Sequence, residues 1–189
     1  MSFGHAVTDN AQRRVYLCNP NTECEGEILE ASRRSESLHY PWVFPPKRQE
    51  EYETYLERIR SGRTIGFLVR RKSDDCLAGV INVSEPVMGV FRNAYLGFYA
   101  FSGFEARGYM TEGMSLVLDC AFEGLGFHRL EANTQPANVA SSALVERLGF
   151  RKEGFSPRYL MIDGAWRDHD RWAMLSDDWP EHRQRLFAP

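Results

Sequence analysis

Apolar positions in this chain follow two periods. Met114, Val117, Leu118, Ala121, Phe122 and Leu125 recur at i, i+3, i+4, i+7, i+8 and i+11, which places them on one face of a helix over about residues 111–125. Tyr52, Tyr55, Leu56 and Ile59 mark a second such face over 48–60, closed by Gly62. A third helix is expected over 23–35 with Thr22 as its cap, and a short one over 139–148 with Gly149 just past its end. Extended apolar segments are expected at 14–17, 64–70, 76–83, 93–101, 128–134, 150–159 and 166–175. Asp163-Gly164 between the last two is a hairpin turn. Leu38 to Pro46 holds three prolines and three aromatics, so it reads as an apolar loop suited to lining a cleft or covering the core. From Ser176 onwards the chain is polar apart from Trp179 and Leu186 and reads as a surface tail.

The resulting order is strand, two helices, three strands, helix, strand, helix, two strands. It predicts an α+β fold with one mixed sheet and helices on its faces. No internal repeat or second domain is evident, so the 189 residues are expected to form a single domain.

Composition narrows the class. The hydrophobic share is 43% and the charged share 26%, ordinary for a soluble globular protein. A net charge of −3 argues against a dedicated nucleic-acid binder but leaves room for a basic peptide in a local acidic groove. No apolar run reaches the roughly 20 residues of a membrane span, and Met1 to Asn10 lacks the pattern of a secretory signal. The four cysteines form no CxxC pair, so reduced, mostly buried thiols in a cytoplasmic protein are expected. The five histidines form no HExxH set. Asp168-His169-Asp170 is compatible with a metal site or a proton relay, but a structural or surface histidine is the simpler reading and nothing requires a metal.

One short stretch carries candidate chemistry by itself. Phe104 to Gly113 joins the strand ending near Phe101 to the helix that follows. A basic, glycine-bearing turn at a helix N-terminus offers unpaired N–H groups, a positive dipole end and close backbone approach at Gly108, the requirements of a phosphate site. An ordinary strand-to-helix connection has the same outline.

Three ordered motifs resolve the matter. Glu105-Ala106-Arg107-Gly108-Tyr109-Met110 matches, loosely, the pyrophosphate loop of the GNAT N-acetyltransferases; Pro136-Ala137-Asn138-Val139-Ala140-Ser141 followed by Leu148-Gly149-Phe150 matches their Pro-x-Asn-x-x-Ser and Leu-Gly-Phe pattern; and Tyr159 to His169 is similar to the closing hairpin of the RimJ/RimL ribosomal-protein-alanine branch. The chain resembles this family over about residues 13–180. The resemblance implies a mostly antiparallel sheet of about seven strands with helices on both faces, and a V-shaped splay between two central parallel strands, 95–101 and 128–134. It implies acetyl-CoA as co-substrate, held by Phe98, Tyr99 and Ala100 along its pantetheine arm. Backbone N–H groups of Ala106, Arg107, Gly108, Tyr109, Met110 and Thr111 would hold its pyrophosphate, Asn138 would hydrogen-bond the pantetheine arm, and Ser141 would lie near the sulfur.

Ser141 would be placed to meet the leaving thiolate; the tyrosine acid of other branches maps onto Val145, so Ser141 or water must serve if an acid is needed. The base is open: the glutamate used by some relatives maps onto Asn133, leaving Glu131 or Glu85, and an α-amine of pKa about 8 needs little help near neutral pH. A strand N–H near Tyr99 would polarise the thioester carbonyl. Tyr40, Trp42, Phe44, Phe91 and the Tyr159 to Trp166 hairpin are candidate acceptor walls. The acceptor expected is a protein N-terminus, such as that of a ribosomal protein, or else a small amine; a non-catalytic acyl-CoA-binding module is the remaining alternative. No metal, nucleic acid or membrane partner is expected, and either a monomer or a homodimer.

Overall fold

The computed structural model describes residues 9–188, so the reading of Met1 to Asn10 lies almost wholly outside the described residues. Seven strands form one sheet: β1 (Val15–Cys18), β2 (Thr64–Arg71), β3 (Leu77–Val87), β4 (Asn93–Ala100), β5 (Arg129–Thr134), β6 (Arg151–Ile162) and β7 (Ala165–Leu175), in the order β1-β2-β3-β4-β5-β7-β6. Every neighbouring pair is antiparallel except β4 and β5, which run parallel. The expected mixed, mostly antiparallel sheet is present.

Each face of the sheet carries its own core. On one, α4 (Tyr109–Asp119) packs over β1 to β3, joined by α5 (Val139–Arg147), and buries Val69, Ile81, Leu96, Met114 and Leu130. Nine successive residues of α4 are buried, so this helix is enclosed nearly all round, its buried Glu112 paired with Arg14. A Cβ at Gly113 would meet Val69 Cγ2 at 2.7 Å, which is how α4 comes so close to β2. On the other face α1 (Glu25–Arg34) and α3 (Gln49–Arg60) cover β2 to β4 through Leu29, Tyr52, Leu56 and Val80.

Several boundaries differ from the sequence reading for local reasons. Asn21, not Thr22, is the cap: its Oδ1 accepts from the N–H groups of Glu23 and Cys24, opening a 3-10 turn before α1. A further short helix, α2 (Glu36–His39), precedes the proline-rich loop. The central helix begins at Tyr109, two residues early, and passes into a π turn at Cys120–Gly124. The C-terminal stretch is not a surface tail. It forms α6 (Trp179–Leu186), whose Trp179 is 1% exposed and donates from Nε1 to Asp119 Oδ1 at 2.7 Å. Trp179 and Leu186 stand seven residues apart and so share one helical face, enough to dock a polar helix. The four cysteines form no disulfide with one another and are half-buried rather than buried. Asp163 and Gly164 both take positive φ (51° and 71°), the turn their sequence predicts.

Candidate active site

The β4–β5 ladder runs only from Asn93↔Arg129 to Leu96↔Ala132. Beyond it the strands part, forming the expected splay. Which β4 groups face the gap follows from the β3 side. Phe101 N–H donates to Ala78 O, so in this antiparallel ladder Phe101 and Tyr99 turn their peptide groups toward β3. Phe98 and Ala100 therefore turn theirs into the splay. The strand N–H groups available to a ligand belong to Phe98 and Ala100, and Tyr99 N–H is already committed to the sheet.

The Ala100 carbonyl is occupied. His39 Nε2, at the end of α2, lies 2.8 Å from it and is the donor, which leaves Nδ1 as the lone-pair nitrogen, buried and unpartnered. The imidazole is 4% exposed and packs edge-on against Tyr99 and Phe101. Burial holds its pKa below the usual histidine value, so it is neutral near pH 7. The sequence reading saw His39 only as part of an apolar loop.

At the mouth of the splay stands the N-terminus of α4. Gly108 is its N-cap at φ +83°, and Ala106 also sits at positive φ, +58°. The N–H of Glu112 bonds to Gly108 O, leaving the first-turn N–H groups before it without a partner within the helix, donors that could meet an anion. Met110 and Thr111 are buried, so they have only backbone to offer. The Arg107 side chain is exposed, while its carbonyl accepts from Arg14 at 2.9 Å. Arg14 also holds Glu112. Sequence reading did not single out Arg14, because nothing local to it foretells a partner 98 residues away.

Asn138 caps α5, its Oδ1 accepting from Ser141 N–H at 3.1 Å. Its amide nitrogen is left for a ligand. Ser142, not Ser141, joins the buried chain Trp172 Nε1 to Thr134 Oγ1 (2.9 Å) and Thr134 Oγ1 to Ser142 Oγ (3.0 Å), which ties β7, β5 and α5 together. Ser141 stays half-buried one residue away.

The opposite face of the splay bears Tyr95, Gly97, Glu131, Asn133, His169 and Arg171, as strand alternation and the pairs Tyr95↔Glu131 and Asn133↔Arg171 require. Glu131 is 6% exposed; its Oε1 accepts from Arg129 Nε (3.0 Å) and Asn93 (3.3 Å), and its Oε2 from Arg171 (2.6 Å). Glu85 is salt-bridged to Arg58 and Arg63. It follows Ser84↔Tyr95, at the paired end of β4 and not at the splay. Phe91 stands beyond that same end. Both carboxylates thus serve arginines, and only Glu131 lies near the gap.

Trp42 and Trp166 do come together. With Gln135, Pro136, Arg167 and Asp168 they line a cavity of about 360 Å³ just past the last β5–β7 pair, Thr134↔Asp170. Among the described residues no group of three metal-ligating side chains occurs, and no helix is long and apolar enough to cross a membrane.

Comparison with known proteins agrees with this geometry. Residues 14–151 match the acetyltransferase (GNAT) domain family. The chain is 38% identical over 159 residues to the ribosomal protein uS5-alanine N-acetyltransferase of Escherichia coli, covering 79% of this chain and 82% of that one. It is 35% identical over 132 residues to a probable N-acetyltransferase, YjcK, of Bacillus subtilis, covering 70% and 71%. Among solved structures, Mycobacterium smegmatis RimJ in complex with CoA-disulfide superposes with a TM-score of 0.83 at 26% identity, covering 92% of this chain and 88% of that one. The chain belongs to the GNAT acetyltransferase family and is an N-acetyltransferase, an acyltransferase whose family draws the acetyl group from acetyl-CoA.

Proposed function

We propose that this protein transfers acetyl from acetyl-CoA to the N-terminal α-amine of a protein, with a ribosomal protein as the leading acceptor. The observation that carries the reading is the cavity walled by Trp42 and Trp166 beside the open face of the splay. Its charged lining is one arginine, Arg167, and one carboxylate, Asp168. A polyamine carries several positive charges and calls for a site of net negative charge. A peptide backbone with one terminal amine suits aromatic walls of balanced charge. The 38% identity to a uS5-alanine N-acetyltransferase supports the same acceptor class.

In this reading the donor's pantetheine lies along the splay-facing N–H groups of Phe98 and Ala100 and accepts from the Asn138 amide, and its pyrophosphate rests on the N–H groups from Ala106 to Thr111. The residues present fit that group: the gap supplies an unpaired strand edge and α4 an unpaired N-terminus. Rate enhancement comes mainly from holding amine and thioester together. Ser141 supplies a hydroxyl for the departing sulfur. Glu131, with three donors on its two oxygens, orients Arg171 and Arg129. Glu85 is assigned to the ion cluster of α3.

The test is CoA-thiol release with a panel of peptides beginning in alanine or serine, set against spermidine and simple amines. Turnover led by the peptides is expected. Turnover confined to small amines would replace the protein acceptor with a metabolite.

A further inference from the structure

We infer that His169 is the proton acceptor for the incoming amine, a catalytic residue assigned by its position and its fixed tautomer. The inference rests on amine acetylation at this site but not on which amine is used.

Position comes first. Asn133 and Arg171 are cross-strand partners, so their side chains share one face of the sheet, and His169, two residues before Arg171, shares it too. Thr134↔Asp170 is the last β5–β7 pair, while Arg167 and Asp168 already line the Trp42–Trp166 cavity. His169 therefore stands in the chain between Asp168, which lines the cavity proposed for the acceptor, and Asp170 of the last sheet pair. Its ring meets Tyr159 edge-on at 6.1 Å, and the Arg171 guanidinium lies 4.4 Å over that same Tyr159 ring.

The tautomer follows from one bond. His169 Nδ1 lies 3.0 Å from Arg167 O, an atom that only accepts, so Nδ1 carries the hydrogen and Nε2 the lone pair. A backbone carbonyl fixing Nδ1–H is the arrangement that makes Nε2 a base. The ring is 3% exposed, and burial holds it neutral near pH 7. The charged groups around it are Asp168 and Arg171 on its own strand, which oppose each other, and the Tyr159 phenol from β6.

The competing acceptors are engaged. Glu131 faces two arginines, Glu85 faces two others, and Asn133 has no basic form. The proton count closes as follows. An ammonium acceptor gives one proton to His169 Nε2; the freed nitrogen pair forms the N–C bond to the thioester carbon as the C–S bond breaks. The second nitrogen proton passes to the departing sulfur, and His169 returns its own to solvent.

The decisive variant is His169→Asn, because the asparagine Nδ2–H takes the place of Nδ1–H toward Arg167 O while no lone-pair nitrogen remains at Nε2. It is assayed with whichever amine the wild-type enzyme turns over fastest, so a wrong acceptor class shows in the panel and not in the variant ratio. Expected is a fall in kcat of about 100-fold with the Kd for acetyl-CoA unchanged. The wild-type kcat should also lose activity on the acid side, with a midpoint below the ordinary histidine value of about 6.5. This second measurement decides even where the variant fails to fold. A His169→Asn kcat within about threefold of wild type, or a wild-type kcat that is flat on the acid side, overturns the assignment.

Discussion

Arg14 grips Glu112 across 98 residues of sequence, its backbone N–H and its Nε each 2.6 Å from a different carboxylate oxygen. The same guanidinium donates to Arg107 O, so the edge strand β1 and the N-terminus of α4 are one unit with the anion-facing loop. Glu112 is 12% exposed at its side chain but Arg14 is 57% exposed, so solvent screens much of the pair. Glu112→Gln is therefore expected to cost about 1 kcal/mol of stability, read as a lower urea midpoint at unchanged slope. Acetyl-CoA should bind several-fold more weakly, because the loop loses its brace. A variant with the wild-type Kd would show that the loop holds its shape unaided.

The loop itself separates backbone from side chain. Gly108 at φ +83° lies where a β-branched residue is strained, and a built Cβ stands 3.0 Å from an Arg14 nitrogen. Gly108→Val should cost about 1–3 kcal/mol and all but abolish acetyl-CoA binding. Arg107→Ala removes an exposed side chain and leaves the carbonyl that Arg14 uses, so its effect should be a modest loss of affinity. Calorimetric titration of both with acetyl-CoA checks this; equal, small losses would mean that the backbone N–H groups are not the main anion contacts.

Asn138 holds two duties on two atoms. Its Oδ1 caps α5 through Ser141 N–H, and only its amide nitrogen is left for the donor. Asn138→Asp keeps the cap, so stability should hold, while the lost N–H and added charge raise KM for acetyl-CoA. Asn138→Ala loses both and should also cost about 1 kcal/mol. If Asp and Ala behave alike in stability, the cap is not what the amide oxygen provides.

The sheet was legible because local signals agreed with the global answer, two helical periods and turn residues at Asp163-Gly164, while the splay was implied only by the family resemblance that the motifs around Asn138 and Gly149 carry. What escaped were pairings with no local signature. His39 reads as one residue of an apolar loop until β4 brings the Ala100 carbonyl to it. Glu131 looks like a free carboxylate on a strand until Arg171 arrives from β7. Trp179 looks stranded in a polar tail because its partner Asp119 belongs to the central helix. The strand N–H groups facing the splay needed the ladder phase, which Phe101 and Ala78 set and no sequence pattern reveals.

That same His39 makes a prediction about acid. Its folded pKa is lowered by burial, with a smaller contribution from the charge of Lys47, while in the unfolded chain it takes the ordinary value of about 6.5. His169 is lowered in the same direction for the same leading reason. Above pH 6.5 neither state binds the proton and these groups leave stability unchanged. As the pH falls below that value the unfolded chain protonates first, so unfolding becomes easier until the folded histidines protonate as well. Stability measured by urea at fixed temperature should therefore decline from pH 7 to pH 5. His39→Gln, whose amide keeps a donor for the Ala100 carbonyl but does not titrate, should shrink that decline. A slope unchanged by this substitution would show that His39 does not take up a proton on unfolding and that the Ala100 bond is made by a ring already charged.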